Sequence, residues 1–256
     1  MKGLDIFLHS VRQVTGNLDG AIRVSALPIL IQAVVTLVFA GSAMMGMGHA
    51  GGMGTGMGAG MGLGVLVVLV VAVLTSLWLS VAWHRFVLLN ERPDGFVPPY
   101  NGDRMLSYFL RSLGYGLIAV IAGAIWGMIA GMALSPIAMH GGMVLFLIVI
   151  AVVVQLPIVY LALRLTTALP GAAIGSGHDF MAGGGATKGA PAHILTLAAI
   201  AVGAHLVLAL LGFLIFDRIP VVSIIWDIAV TWLVTMVGVS ILTTLYGHYI
   251  QKRPLV

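Results

Sequence analysis

The chain has 256 residues, of which 60% are apolar and only 8% charged, with a formal net charge of +4 and no cysteine. Soluble domains carry about 25% charged residues and about 45–50% apolar ones, so a globule of this composition lacks the polar surface to face water. A soluble enzyme, a disordered chain and a disulfide scaffold are excluded together, which leaves a polypeptide whose solvent is lipid.

The first 24 residues read as an amphipathic helix. Leu4, Phe7, Leu8, Val11, Val14 and Leu18 fall on one stripe, and His9, Arg12, Gln13 and Asn17 fall on another. Such a helix lies in the headgroup plane. Six apolar stretches follow, over about 25–47, 63–88, 113–134, 143–163, 194–216 and 219–246. Each meets the ~20 residues that a helix needs to cross ~30 Å of hydrocarbon. The first begins too late and runs too long for the apolar region of a leader, so it is expected to stay as an anchor. The alternating segments of a barrel are missing. The expected fold is therefore all-α: one integral membrane domain over 1–256, a bundle of six transmembrane helices in three hairpins with interfacial amphipathic helices.

The cations set the expected orientation. Lys2, Arg12 and Arg23 precede span one, Arg85, Arg92, Arg104 and Arg111 lie between spans two and three, Arg164 and Lys188 between four and five, and Lys252 and Arg253 after six. An even number of spans puts these eleven on one side, with only Arg218 opposite, so both termini are expected in the cytoplasm. The positive charge then answers to topology and anionic headgroups, and no nucleic-acid partner is expected. Cytoplasmic segments of similar length, 1–24, 84–112 and 164–193, precede each odd span. That threefold rhythm also follows from spans of forced length.

Within and between the spans, four groups of residues carry chemistry. The stretch 41–64 repeats Met and Gly every four residues, with Met45, His49, Met53, Met57 and Met61 in register. The next loop on that side adds His140 and Met143. Thioethers and imidazole suit copper(I), so these seven are candidate soft-metal ligands and copper is the one candidate cofactor. A Gly/Met filler in a short loop is the plain alternative. His205 and Asp227, at comparable depth in spans five and six, are a candidate intramembrane pair, either a proton or ion relay or interhelical glue. Trp83, His84 and Arg85 at the end of span two, with Arg92, Arg104 and Arg111 beyond, suit either membrane anchoring or recognition of a lipid phosphate or partner. Gly123, Gly127 and Gly131 clear one face of span three for close packing, within the bundle or between copies. Pro28, Pro157 and Pro220 are expected kinks or helix starts, with Gln32 and Gln155 placed to cap freed carbonyls.

No zinc-protease, nucleophile-elbow or phosphate-loop signature is present, and no two acids pair within a span, so an enzyme is not expected. Three segments carry a family resemblance: His9-Ser10-Val11-Arg12 with Gly16-Asn17-Leu18, Trp83 through Leu89 followed by Glu91, and Leu169 through Gly175. Together they resemble a group of uncharacterised six-span proteobacterial inner-membrane proteins. The resemblance implies a bacterial cytoplasmic membrane and six helices, and no particular activity; the Met/Gly stretch departs from it. The expected function is that of a non-enzymatic accessory, assembly or envelope-maintenance protein. It would work through the lipid bilayer, a membrane-protein partner or a second copy of itself. The alternative is a transporter or carrier, possibly for copper, with Asp227 and His205 as an inner polar step.

Overall fold

The computed structural model describes residues 2–48, 56–140, 142–216 and 219–255. Side chains are described over the same ranges apart from 40–48, 56–62, 135–140, 143–144, 147 and 220. No strand occurs among the described residues, and six helices are long and apolar enough to cross a membrane. The short α1 (Lys2–Thr15) is followed by α2 (Leu18–Gly48), α3 (Gly56–Leu89) and α4 (Gly102–His140). The fourth apolar helix is built in pieces: α5 (Gly142–Val149), a wide π turn (Ile150–Gln155) and α6 (Leu156–Thr166). Two short helices, α7 (Leu169–Ile174) and α8 (Ala182–Ala186), lead into α9 (Pro191–Leu211) and α10 (Pro220–Leu245).

Two boundaries differ from the sequence expectation. Residues 104–111 are no separate interfacial segment but the first turns of α4, because nothing between Gly102 and Leu113 breaks a helix. Likewise α2 starts at Leu18, directly after the turn at Gly16–Asn17, with Asp19 in its first turn.

Pro157 and Pro220 act as expected, although the partner differs at Pro157, and Pro28 lies within α2. Pro157 has no N–H to offer the carbonyl of Val153, and its ring crowds that carbonyl, so the helix widens into the π turn immediately before it. The freed Val153 oxygen accepts the indole N–H of Trp126 from α4 at 2.7 Å. Gln155, the expected cap, is exposed. Pro220 begins α10, where a missing N–H costs nothing.

Packing is concentrated at the end of the bundle that holds both termini, here the terminal end. Three clusters of buried apolar residues lie there: Leu77, Val81, Tyr108, Tyr115 and Leu169 between α3, α4 and α7; Val14, Val24, Leu79, Trp83 and Met236 between α1, α2, α3 and α10; Ile6, Leu163, Ile194, Leu197 and Leu245 between α1, α6, α9 and α10. Helix α1 contributes Gly3, Ile6, Ser10 and Val14, of which only Val14 belongs to the apolar stripe read from the sequence; Leu4 and Leu8 on that stripe are exposed. The close approach needs Gly3, since a Cβ there would stand 2.6 Å from the carbonyl oxygen of His193. Towards the far end the described side chains open outward: Leu30, Leu37, Val65, Leu66, Leu117, Val120 and Ile225 are all more than half exposed. In water that surface would aggregate; in hydrocarbon it is solvated.

Candidate functional site

Consecutive residues on an α-helix point about 100° apart, so four in a row sweep the whole circumference. Trp83, His84, Arg85 and Phe86 do this on α3 and reach a different neighbour each time. The Trp83 indole N–H donates to Ser240 Oγ on α10 at 2.8 Å. His84 Nδ1 meets Thr243 Oγ1 at 2.8 Å, and Nε2 meets the hydroxyl of Tyr108 on α4 at 3.2 Å. Because the Thr243 hydroxyl donates to the Val239 carbonyl at 2.9 Å, its oxygen accepts from Nδ1–H. Nε2 is then left to accept from Tyr108. Arg85 pairs with both carboxylate oxygens of Glu91 through Nε and Nη2, and its Nη1 donates to the carbonyl of Ala173 on α7 at 3.0 Å. Phe86 stacks on Trp83 with centroids 5.3 Å apart, and its ring fills the space beside Gly20 of α2, where a Cβ would be 2.5 Å away.

Further bonds close the same end. Ser10 and Thr244 join α1 to α10 at 3.0 Å, and the Trp232 indole donates to Ser25 on α2 at 2.8 Å. Tyr246 meets Ser176 at 2.9 Å and His178 at 3.1 Å. Gly175, at φ +81°, ends α7 in the left-handed conformation directly beside the Arg104 guanidinium. Trp83 and His84 are wholly buried, with their polar atoms used inside the chain. Neither is available to a headgroup or partner. Arg85 is mostly covered, Arg111 is half-buried, and Arg92 and Arg104 are exposed.

A second polar region lies within the spans. A cavity of about 320 Å³ separates α2, α3 and α10, and besides Thr75 six polar side chains line it: Gln32, Thr36, Ser76, Asp227, Thr231 and Thr235. They recur at four-residue spacing, Gln32 and Thr36 on α2 and Asp227, Thr231 and Thr235 on α10, so each helix presents a polar ladder to the cavity. None of the six has a hydrogen-bond or ionic partner among the described residues. Thr75, also on the wall, does have one, since its hydroxyl donates to the Val71 carbonyl at 2.8 Å. The terminal end of the cavity is stopped by Leu79, Trp83 and Met236, all essentially inaccessible.

The chain matches no family model, no curated protein and no solved structure. Its site is therefore read from its own geometry.

The structure does not bring His205 and Asp227 together. His205 is exposed on α9, outside the cavity lining, and no bond joins the two. Of the three glycines in span three, only Gly123 meets a neighbour, with a Cβ 3.3 Å from Ile158; Gly127 and Gly131 face open space. Met45, His49, Met53, Met57, Met61, His140 and Met143 lie outside the residues whose side chains are described. Among the described residues no three His, Asp or Glu side chains converge on a point that would hold a metal. Sequence reasoning took Gln32 for a proline cap and passed over Thr36, Ser76, Thr231 and Thr235; the four-residue ladder leading to Asp227 was the available signal.

Proposed function

We propose that this multi-pass membrane protein is a non-enzymatic accessory protein of a bacterial inner membrane. Its six spans pair as three hairpins with both termini cytoplasmic, and it acts in assembly or envelope maintenance through lipid and protein contacts. The observation that carries the reading is the hub at Trp83–Phe86. It spends its Trp, His and Arg on tying α2, α4, α7 and α10 to α3, as a rigid platform requires. Around that platform Arg92 and Arg104 are exposed, as are Phe96 and Tyr100 on the connecting segment 90–101. Planar guanidinium groups beside apolar rings suit phosphate headgroups or an acidic partner segment.

The test is in-cell photocrosslinking from Phe96 and Tyr100 positions, in wild type and in an Arg92→Gln/Arg104→Gln variant, alongside detergent resistance of a strain lacking the protein. The expected result is a discrete protein adduct that the double variant loses, with weakened detergent resistance in the deleted strain. Adducts to phospholipid alone, unchanged by the variant, with normal resistance would contradict the reading. The carrier alternative draws support from the cavity at Asp227, and the stopped terminal end of that cavity counts against a continuous path.

A further inference from the structure

We propose that the cavity between α2, α3 and α10 is a binding site for an apolar molecule carrying a single ammonium group, with Asp227 as its counter-ion. The inference goes beyond the accessory role and does not depend on it.

The unpartnered side chains point to a ligand. Polar groups inside a bilayer are ordinarily satisfied within the protein, because hydrocarbon offers nothing in exchange. In the terminal half the hydroxyls of Ser10, Ser25, Ser240, Thr243 and Thr244 obey that rule, although Gln13 Oε1, Arg111 Nη1, His193 Nδ1, the Tyr249 hydroxyl and Gln251 Oε1 are buried there without a partner among the described residues. Six polar side chains facing one cavity with no partner among the described residues break it together. A carboxylate in such surroundings is stabilised by a cation.

The lining selects the kind of cation. Asp227 is the only charged group on the wall among the described residues, so a monocation balances it, whereas a divalent metal would want further carboxylates or imidazoles. The polar ladder runs from Gln32 to Thr36 on one wall and from Asp227 to Thr235 on the other; eight helical residues cover about 12 Å. A bare ion fills a shell only about 2.5 Å in radius, far shorter than this cavity. Between the polar positions stand Ile29, Ala33, Leu79, Ile224 and Ile228, which offer apolar contact along the same length. A volume of about 320 Å³ with apolar walls and a few directed polar groups is of the size that holds small organic molecules. Thr36, Ser76, Asp227 and Thr231 are exposed, so the cavity is open at the depth of the spans, where an amphiphilic amine partitions from the bilayer. In the bound state the ammonium donates to the Asp227 carboxylate, and the hydroxyls of Thr231 and Ser76 offer further acceptors.

The experiment uses the full chain in phosphatidylcholine nanodiscs, with dansylcadaverine as a fluorescent primary amine and n-octylamine as an unlabelled competitor. Wild type is expected to give saturable, blue-shifted fluorescence above empty discs that octylamine displaces. Asp227→Asn, which keeps the side-chain shape, is expected to weaken binding about tenfold or more, the loss of one ionic contact in a low-dielectric site. N-acetyl-dansylcadaverine, which has no charge, is expected to bind wild type and Asp227→Asn alike and weakly. Thr231→Val serves as a second variant with a smaller loss. No saturable signal from either amine overturns the proposal, as does equal affinity in wild type and Asp227→Asn, or an acetylated probe that binds as tightly as the amine.

Discussion

One helix passes through both halves of this molecule and behaves differently in each. The last turns of α10 carry Ser240, Thr243 and Thr244, and every hydroxyl there is bonded: to Trp83, to His84 and the Val239 carbonyl, and to Ser10. Its middle turns carry Asp227, Thr231 and Thr235, and none has a partner among the described residues. The residue types and spacing are alike. What separates them is neighbours: at the terminal end α1, α2, α3, α6 and α9 pack against the helix, whereas nearer the far end α2 and α3 stand off and leave a cavity. On this helix the hydroxyls that hold the bundle together and those left without a partner differ in their neighbours, not in residue type.

That division is sharpest at Trp83. Trp83→Ala removes a wholly buried ring and strands Ser240, so it is expected to cost about 3–5 kcal/mol, read as a lowered unfolding midpoint in mild detergent. An unchanged midpoint would dissolve the distinction between the halves. Next in size is Gly175→Ala, which forces a side chain into the left-handed region beside Arg104 and is expected to cost about 1–2 kcal/mol. Tyr108→Phe leaves His84 Nε2 without its donor inside the packed half, an expected loss of about 1 kcal/mol or somewhat more in the same assay. At the small end, Asp227→Asn is expected to leave the midpoint within about 0.5 kcal/mol of wild type or to raise it, since it neutralises an unpaired acid in an apolar setting. A large loss there would mean that Asp227 is structural glue after all.

Much of the architecture was legible in the residues. Apolar runs long enough to span hydrocarbon give six helices, and Pro157 and Pro220 announce a distortion and a start. The edges were harder, because amphipathic and spanning segments merge when no breaker separates them, as at Gly102–Leu113. On α1 the sequence showed the apolar stripe and not the inward face: Leu4 and Leu8 are exposed, while the small Gly3 and Ser10 turn in beside Ile6 and Val14. For the site, Trp83–Phe86 stood out as a motif, but residue type at a membrane boundary suggested headgroups, and only the surrounding helices reveal that it faces inward. Asp227 was evident as a lone acid in a span. The cavity around it was not, since pairing it with His205 assumed adjacent helices in contact at that depth, while the cavity draws its walls from α2 and α3 instead.

The absence of cysteine makes the central comparison directly measurable, because a single introduced thiol is the only reactive one in the chain. Thr231→Cys and Thr243→Cys sit three turns apart on α10, one on the open cavity and one bonded to His84. With a small cationic methanethiosulfonate reagent on the full chain in nanodiscs, Thr231→Cys is expected to react roughly tenfold or more faster, since a thiol in the packed half reacts only through local opening. Equal rates, or faster reaction at position 243, would contradict the account.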